Sequence, residues 1–310
     1  MTTRAVKFLA ALVALVVAAL LCGQAAMARS QQQPVFRSRS DLVSINVSVR
    51  RGNVPVNGLQ AADFEVFDNG VRQNVDWLSY EAVPIDVTFF LDTSPSLSGL
   101  LEELKRDIAK IERMLRPTDR LRLLTFGYQV TDVFGWQPVG GDLRLEQATM
   151  GRISSVYDGI FLALMQRPEV DRRHLVIAMT DAMDASSLVD TKQLRAVADR
   201  AEAVLHVVLM NSTYKLSPWM PPPWVAIPVE SGVSALDDVA GRTGGKQHSA
   251  MFGRASVVNA FQQAFEDFRQ SYILRYTPTG VVRSGWHDVK VGVPGQGRLT
   301  IRARRGYFGS

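Results

Sequence analysis

Between residues 85 and 272 the sequence alternates short apolar runs with longer amphipathic segments, and this alternation restricts the possible folds most strongly. The runs "IDVTFFLD" and "RRHLVIAMTD" are nearly continuous in apolar residues, which is typical of strands covered on both faces. The segment "LLEELKRDIAKIERMLRP" predicts an amphipathic helix that ends before Pro117. Strands alternating with helices form parallel βαβ units. The sequence therefore predicts an α/β fold, a doubly wound, Rossmann-like, mostly parallel sheet with helices on both faces.

Two regions without helical periodicity flank this core, at 29–84 and 273–310. In the first, "DLVSINVSVRRG" alternates with a period of two, and Asn69-Gly70 predicts a hairpin turn. In the second, "GWHDVKVGV" and "RLTIRARRGYF" also predict strands. We expect the N- and C-terminal β segments to pair into one β-sandwich-like module, with separate modules as the alternative.

Residues 1–28 have the layout of a secretory signal peptide, in which Arg4 and Lys7 precede an apolar stretch and the small residues of Ala26-Met27-Ala28. We expect cleavage after Ala28, a secreted or periplasmic protein, and no membrane span in the mature chain. An uncleaved anchor is the alternative. The apolar stretch from Phe8 to Leu21 is shorter than the roughly 20 residues that a spanning helix needs.

Cys22 is the only cysteine. Lipidation at Cys22 is a further alternative, but Leu21 stands where a lipoprotein signal has a small residue. Cleavage after Ala28 leaves a mature chain without cysteine. That excludes disulfides, thiol nucleophiles and thiolate metal ligands.

The net charge of +5 comes from 35 basic and 30 acidic residues, and without Arg4 and Lys7 it falls to +3. The basic excess is densest in the C-terminal "GRLTIRARRGYFGS". There it alternates with apolar residues, which favours a solvated strand face over a nucleic-acid-binding surface. We therefore expect no nucleic-acid partner.

Polar oxygen side chains follow the ends of two predicted strands. Asp92, Ser94 and Ser96 follow the first strand, and Asp181 ends a later one. Ligands of such sheets bind outside the carboxyl ends of the strands, so these side chains are expected at one edge. A third loop, "GRISSVYDGI", could add Ser154 or Ser155. Carboxylate and hydroxyl oxygens suit a small hard cation such as Mg²⁺.

Other interpretations of these residues stay open. Ser and Asp after a strand often only cap the next helix or form a turn. A nucleophilic serine is not supported, because the sequence contains no GxSxG elbow. The four histidines show no paired spacing typical of a zinc site.

The stretch "FFLDTSPSLSG" resembles the opening of the metal-ion-dependent adhesion site (MIDAS) of a von Willebrand factor type A domain, with its Asp-x-Ser-x-Ser pattern. "SSVYDGI" resembles the segment that carries a third hydroxyl, placed on Ser154. "VIAMTDAMDASS" resembles the strand end that supplies a second aspartate, placed on Asp181. The β segments on both sides resemble the margins of bacterial exported proteins related to this domain. Four positions depart from the family pattern: Pro95 and Ala182 replace glycines, Leu97 replaces methionine, and Ser154 replaces threonine.

The resemblance implies that a cation is held by five residues, namely Asp92, Ser94, Ser96, Ser154 and Asp181. It further implies Mg²⁺, with Mn²⁺ or Ca²⁺ as alternatives, and a protein partner whose Asp or Glu carboxylate completes the metal shell. The expected function is exported, cation-dependent protein binding rather than catalysis. Two alternatives are an assembly module with a purely stabilising metal and a metal-assisted hydrolase, which would need a positioned base.

Two further stretches have more than one interpretation. The Pro-rich loop at 216–228 carries Trp219 and Trp224, which either pack on the sheet edge or form a contact loop. The second stretch, just after Asp181, could supply groups behind the metal ligands or only a helix cap or turn; its residues are Asp184, Ser186 and Ser187. Asp158 is expected at a helix start, where a carboxylate favours the helix dipole.

Overall fold

The computed structural model describes residues 42–127, 129–151, 154–167, 169, 171–211, 229–251 and 256–309. The signal peptide, Cys22 and the Trp219/Trp224 loop lie outside these ranges and stay predictions, as do the domain boundaries after residues 84 and 272. In the described part of the chain, no helix combines the length and hydrophobicity that a membrane crossing requires.

Strands and helices follow one another through these ranges. Along the chain they are β1 (Val43–Arg51), β2 (Val54–Pro55), β3 (Glu65–Asp68), β4 (Val71–Gln73), β5 (Trp77–Tyr80), β6 (Ile85–Asp92), α1 (Ser98–Glu112), β7 (Arg120–Phe126), β8 (Val130–Pro138), α2 (Val156–Leu164), β9 (Arg173–Thr180), α3 (Thr191–Ala198), β10 (Val204–Asn211), α4 (Val229–Arg242), β11 (Gln247–Met251), α5 (Ser256–Arg269), β12 (Tyr272–Tyr276), β13 (Gly285–Gly292), β14 (Thr300–Ala303) and β15 (Gly306–Gly309).

Six strands form a central sheet in the order β11-β10-β9-β6-β7-β8. Neighbouring strands are parallel, except that β8 runs antiparallel to β7. The prediction of a mostly parallel sheet is confirmed. Since the parallel strands point the same way, the residues that follow β6 and β9 meet at one edge of the sheet.

Side chains of the central strands alternate between two hydrophobic cores. In β9, Leu175, Ile177 and Met179 pack with residues of α1 and α5. Val176 and Ala178 of the same strand pack with residues of α2, α3 and α4. Successive side chains of a strand point to opposite faces, so helices cover both faces of the sheet. Every residue of β6 and β9 is buried, as their continuous apolar runs predict.

The two flanking β regions pair with each other, as the sequence predicts. β1 lies between β12 and β14 in one antiparallel sheet, and β3 pairs with β13 in another. Buried side chains of both sheets share one hydrophobic cluster. The predicted turn at Asn69-Gly70 joins β3 to β4, with positive φ at both residues, a backbone that asparagine and glycine tolerate.

A buried carboxylate links four strands of this β region. Asp68 of β3 is fully buried, and its Oδ1 lies 2.7 Å from Nδ1 of His287 on β13. Its Oδ2 accepts hydrogen bonds from the hydroxyls of Tyr276 on β12 and Tyr307 on β15, at 3.0 and 2.7 Å. Asp68 therefore joins the two antiparallel sheets through polar contacts.

Two strands and one surface differ from the sequence expectations. β8 and β11 are edge strands of the central sheet that the sequence pattern did not predict.

The C-terminal arginines do not form a solvated strand face. Arg302 pairs with Asp267, Arg305 pairs with Asp238, and Arg304 donates to two backbone carbonyls. Asp267 and Asp238, both on helices, thus pair with arginines that the sequence alone places in solvent.

Glu103 of α1 caps the N-terminus of α5. It is buried, and its carboxylate accepts from the Ser256 hydroxyl at 2.8 Å and from the Val257 amide at 2.9 Å. We expect Glu103→Ala to lower the free energy of unfolding by about 1 to 3 kcal/mol, because two buried donors lose their acceptor. Urea denaturation measures this. The control is Glu102→Ala, whose exposed side chain only approaches Lys105, and an equal loss in both variants would contradict the capping role.

Candidate metal centre

Asp92, at the end of β6, is the centre of the predicted site. Its carboxylate is fully buried. Oδ1 accepts from the Ser94 amide at 2.9 Å and from the Ser154 hydroxyl at 3.2 Å. Oδ2 accepts from the Thr180 hydroxyl at 2.8 Å. The structure thus brings Ser154, 62 positions away in the chain, against Asp92.

Ser94 and Ser96 point to one place because a short 3₁₀ turn, Pro95–Leu97, follows Ser94. Their hydroxyl oxygens lie 2.8 Å apart. Proline suits the start of such a turn, since its φ is already fixed in the helical range. Leu97 anchors the turn in the hydrophobic core. The replacement of glycine by Pro95 therefore keeps the two hydroxyls together.

Asp181 follows β9 and completes the group. Its Oδ1 accepts from the Met183 amide at 3.1 Å, and its Oδ2 is buried without a hydrogen-bond partner among the described residues. The Ser96 hydroxyl lies beside this carboxylate. All five predicted residues therefore form one connected group. Its contacts are Ser94 to Asp92, Ser154 to Asp92, Ser96 to Ser94, and Ser96 to Asp181.

Burial makes ionisation of both carboxylates costly. Burial raises the pKa of Asp92 to about 6, and the negative charge of Asp181 adds to that effect. Burial also raises the pKa of Asp181, although the Ser96 hydroxyl partly counteracts it. Among the described residues, no basic side chain contributes to either shift. A buried pair of acids without a cation is unfavourable unless something positive compensates it.

These observations fit a hard divalent cation. Two carboxylates and three hydroxyls form an all-oxygen donor set, which suits Mg²⁺. The unpartnered Oδ2 of Asp181 and the uncompensated negative charge both point to a positive occupant. The identity of the five residues as ligands stays a prediction.

Several supporting residues act behind this group. Thr180, which the sequence did not single out, donates to Asp92 and accepts from the Ala182 amide at 3.0 Å. Asp184 and Ser187 accept from amides at the start of α2, so the helix-cap interpretation describes them better than a place behind the ligands. Asp158 lies in the first turn of α2, as expected, and accepts from the amides of Leu188 and Val189.

Ala182 replaces the glycine that the family pattern has after Asp181. Its φ is +63°, a left-handed conformation that a side chain disfavours. Its carbonyl lies so close to Gly232 of α4 that a Cβ there would be 2.5 Å from the oxygen. The loop after β9 is therefore held against α4 in a strained backbone conformation.

A second group of polar residues was missed by sequence reasoning. His206 on β10, His248 on β11 and Asp267 on α5 place one potential ligand atom each within 4.8 Å of one another. All three are buried. The histidines lie 42 positions apart, so no local spacing pattern reveals them.

Comparisons with known proteins give structural likenesses only. No protein-family model and no curated protein matches the sequence. BatB, a conserved hypothetical protein from Bacteroides thetaiotaomicron, is 13% identical over 59% of this chain and 98% of its own, with a TM-score of 0.43. Proximal thread matrix protein 1 from the mussel byssus, with zinc in its MIDAS motif, is 11% identical over 64% of this chain and 48% of its own, with a TM-score of 0.46. The pilus adhesin SpaC from Lactobacillus rhamnosus GG is 8% identical over 79% of this chain and 48% of its own, with a TM-score of 0.43. The chemistry of the site is therefore interpreted from this chain's own residues.

Proposed function

We propose that this chain is an exported module of the von Willebrand factor type A kind that binds a protein partner through a divalent cation. The carrying observation is the buried Oδ2 of Asp181, which has no hydrogen-bond partner in the described part of the chain and belongs to a group with Asp92 and three serine hydroxyls. The strand order of the central sheet, with helices on both faces, supports a doubly wound arrangement. Signal cleavage after Ala28 would place the module in the periplasm or outside the cell.

The ligand set explains why binding is favoured over catalysis. Asp92, Ser94, Ser96, Ser154 and Asp181 would hold Mg²⁺, with Mn²⁺ or Ca²⁺ as alternatives. The bound ion would supply a Lewis-acidic centre, and a partner's Asp or Glu carboxylate would complete its coordination shell. Among the described residues, no histidine or lysine contacts these carboxylates, so the hydrolase alternative has no evident base.

Metal binding tests the site directly. At free Mg²⁺ about 100 times the dissociation constant, we expect the free energy of unfolding to rise by about 2.7 kcal/mol. Asp92→Ala should weaken Mg²⁺ or Mn²⁺ binding by at least about 100-fold, because it removes a residue that would ligate the ion directly. Loss of a residue that only hydrogen-bonds to a ligand already weakens metal binding by about 10- to 100-fold. Titration calorimetry and thermal melting measure both. Asp142→Ala, which removes an exposed carboxylate that pairs with Arg144, is the control.

Partner capture then separates the functional alternatives. The full mature chain is immobilised and exposed to extract from its own cells, with and without chelator. Binding that is lost both with chelator and in Asp92→Ala supports the adhesive role. A metal that raises the melting temperature while capture is unchanged would instead indicate the purely stabilising role. If Mg²⁺ neither binds nor stabilises, the proposal is wrong.

A further inference from the structure

Asp267 of α5 lies at the centre of a basic cluster that the metal centre does not involve. Its Oδ1 lies 2.6 Å from Nε of Arg50 on β1 and 3.5 Å from Nζ of Lys246. Its Oδ2 lies 2.5 Å from Nη2 of Arg302 on β14. We call Arg50, Lys246, Arg302 and Asp267, together with His206 and His248, the Asp267 cluster.

The positive charges of this cluster exceed the negative ones. Within the described residues, Asp267 is the sole acidic ion-pair partner of each of the three bases. The histidines add no charge at neutral pH, because burial holds the pKa of His248 at about 4 and that of His206 well below its usual value. Two positive charges are therefore left without compensation, and partly buried charge is unfavourable unless it is paired.

This charge balance argues against a metal ion, although the two histidines and Asp267 lie at ligand distance from one another. Both Asp267 oxygens already contact a guanidinium group. The ring nitrogens of His206 and His248 are hydrogen-bonded to each other at 2.8 Å. A divalent cation would add charge to a region that already holds an excess of two.

At least two of the three bases reach solvent. The side chains of Lys246 and Arg302 are 33% and 22% exposed, whereas Asp267 is 4% exposed. Nε of Arg302 is buried and has no hydrogen-bond acceptor among the described residues. We propose that the Asp267 cluster binds a compact oxyanion of the phosphate type through Arg50, Lys246 and Arg302. This site is independent of the proposed metal centre.

Titration with inorganic phosphate at low ionic strength tests the site. We expect saturable binding of one phosphate per chain by calorimetry, and a matching rise in melting temperature. Lys246→Gln should weaken this binding about tenfold, because one charge-assisted hydrogen bond is lost, whereas Lys246→Arg should retain it. Lys246 is the most exposed of the three bases, so these variants are expected to fold, and circular dichroism checks that.

Lys290→Gln is the matched control, since Lys290 is exposed on β13 and pairs with Asp288, outside the Asp267 cluster. Phosphate also stabilises proteins by exclusion from their surface, so the difference between Lys246→Gln and Lys290→Gln is the readout. Equal phosphate affinity in these two variants, or no saturable binding, overturns the proposal. It is also overturned if Zn²⁺ binds in the Asp92→Ala background and His248→Gln abolishes that binding.

Discussion

Replacing Asp68 with alanine is expected to lower the free energy of unfolding by at least about 3 kcal/mol, because three hydrogen-bond donors lose their buried acceptor at about 1 to 3 kcal/mol each. The variant leaves the hydroxyls of Tyr276 and Tyr307 without their acceptor. It also removes the partner of Nδ1 of His287, whose Nε2 has no hydrogen-bond partner within the ranges that the structure describes. Urea denaturation at neutral pH measures the loss.

Milder changes keep this prediction measurable if Asp68→Ala does not fold. Tyr307→Phe removes one of three donors and is expected to lose about 1 kcal/mol. Asp288→Ala is the control on the neighbouring strand, because its half-exposed side chain only approaches Lys290. The control should change stability by less than about 0.5 kcal/mol. If Asp68→Ala loses no more than the control does, the buried carboxylate does not hold the sheets together.

Stability is expected to fall as the pH drops from about 6.5 towards 4, because buried histidines must stay neutral in the folded state. Burial lowers the pKa of His174 to about 4, and the cation of Arg122 adds to this against the opposing charge of Asp86. The unfolded chain therefore binds the proton first, and the folded state loses about 2 kcal/mol by pH 5 from His174. His248, whose pKa burial also lowers to about 4, should contribute a similar loss.

The comparison of wild type with His174→Gln isolates this effect. Asp92 acts in the opposite direction, because burial raises its pKa to about 6 and the metal-free folded state takes up a proton as the pH falls. That contribution cancels in the difference between the two proteins. Denaturation between pH 7.5 and 4.5 should show a shallower loss in His174→Gln. Parallel curves would mean that His174 titrates normally in the folded protein.

Local patterns in the sequence predicted the elements that depend on few neighbouring residues. The continuous apolar runs of β6 and β9 and the Asn69-Gly70 turn are each encoded by a short local stretch of sequence. β8 escaped prediction because its buried and exposed residues do not alternate, and its pairing with β7 is interrupted by irregular register. β11 is a short edge strand of mostly small and polar residues.

The residues of the candidate site also divide into those that a local sequence pattern predicts and those that only the fold brings together. Asp92, Ser94 and Ser96 lie in one short stretch, so their convergence follows from a single loop. Thr180 was not predicted as their support, since a threonine within a buried strand gives no sign of its hydrogen-bond partner. Asp68 and His287 are 219 positions apart, and only the folded chain reveals such a pair.

The position of β1 between β12 and β14 has a consequence for how the chain is made. Val47 meets Tyr272 in the finished sheet, so β1 leaves the ribosome about 225 residues before its partner, a delay of about 10 to 45 seconds at usual elongation rates. The central sheet needs only residues 85–251 and can assemble during that interval. Ile45, Val47 and Val49 meanwhile lack the two long partner strands β12 and β14, and only the two-residue β2 can pair with the end of β1. A newly made chain must therefore keep β1 from pairing with other strands until β12 and β14 have been synthesised.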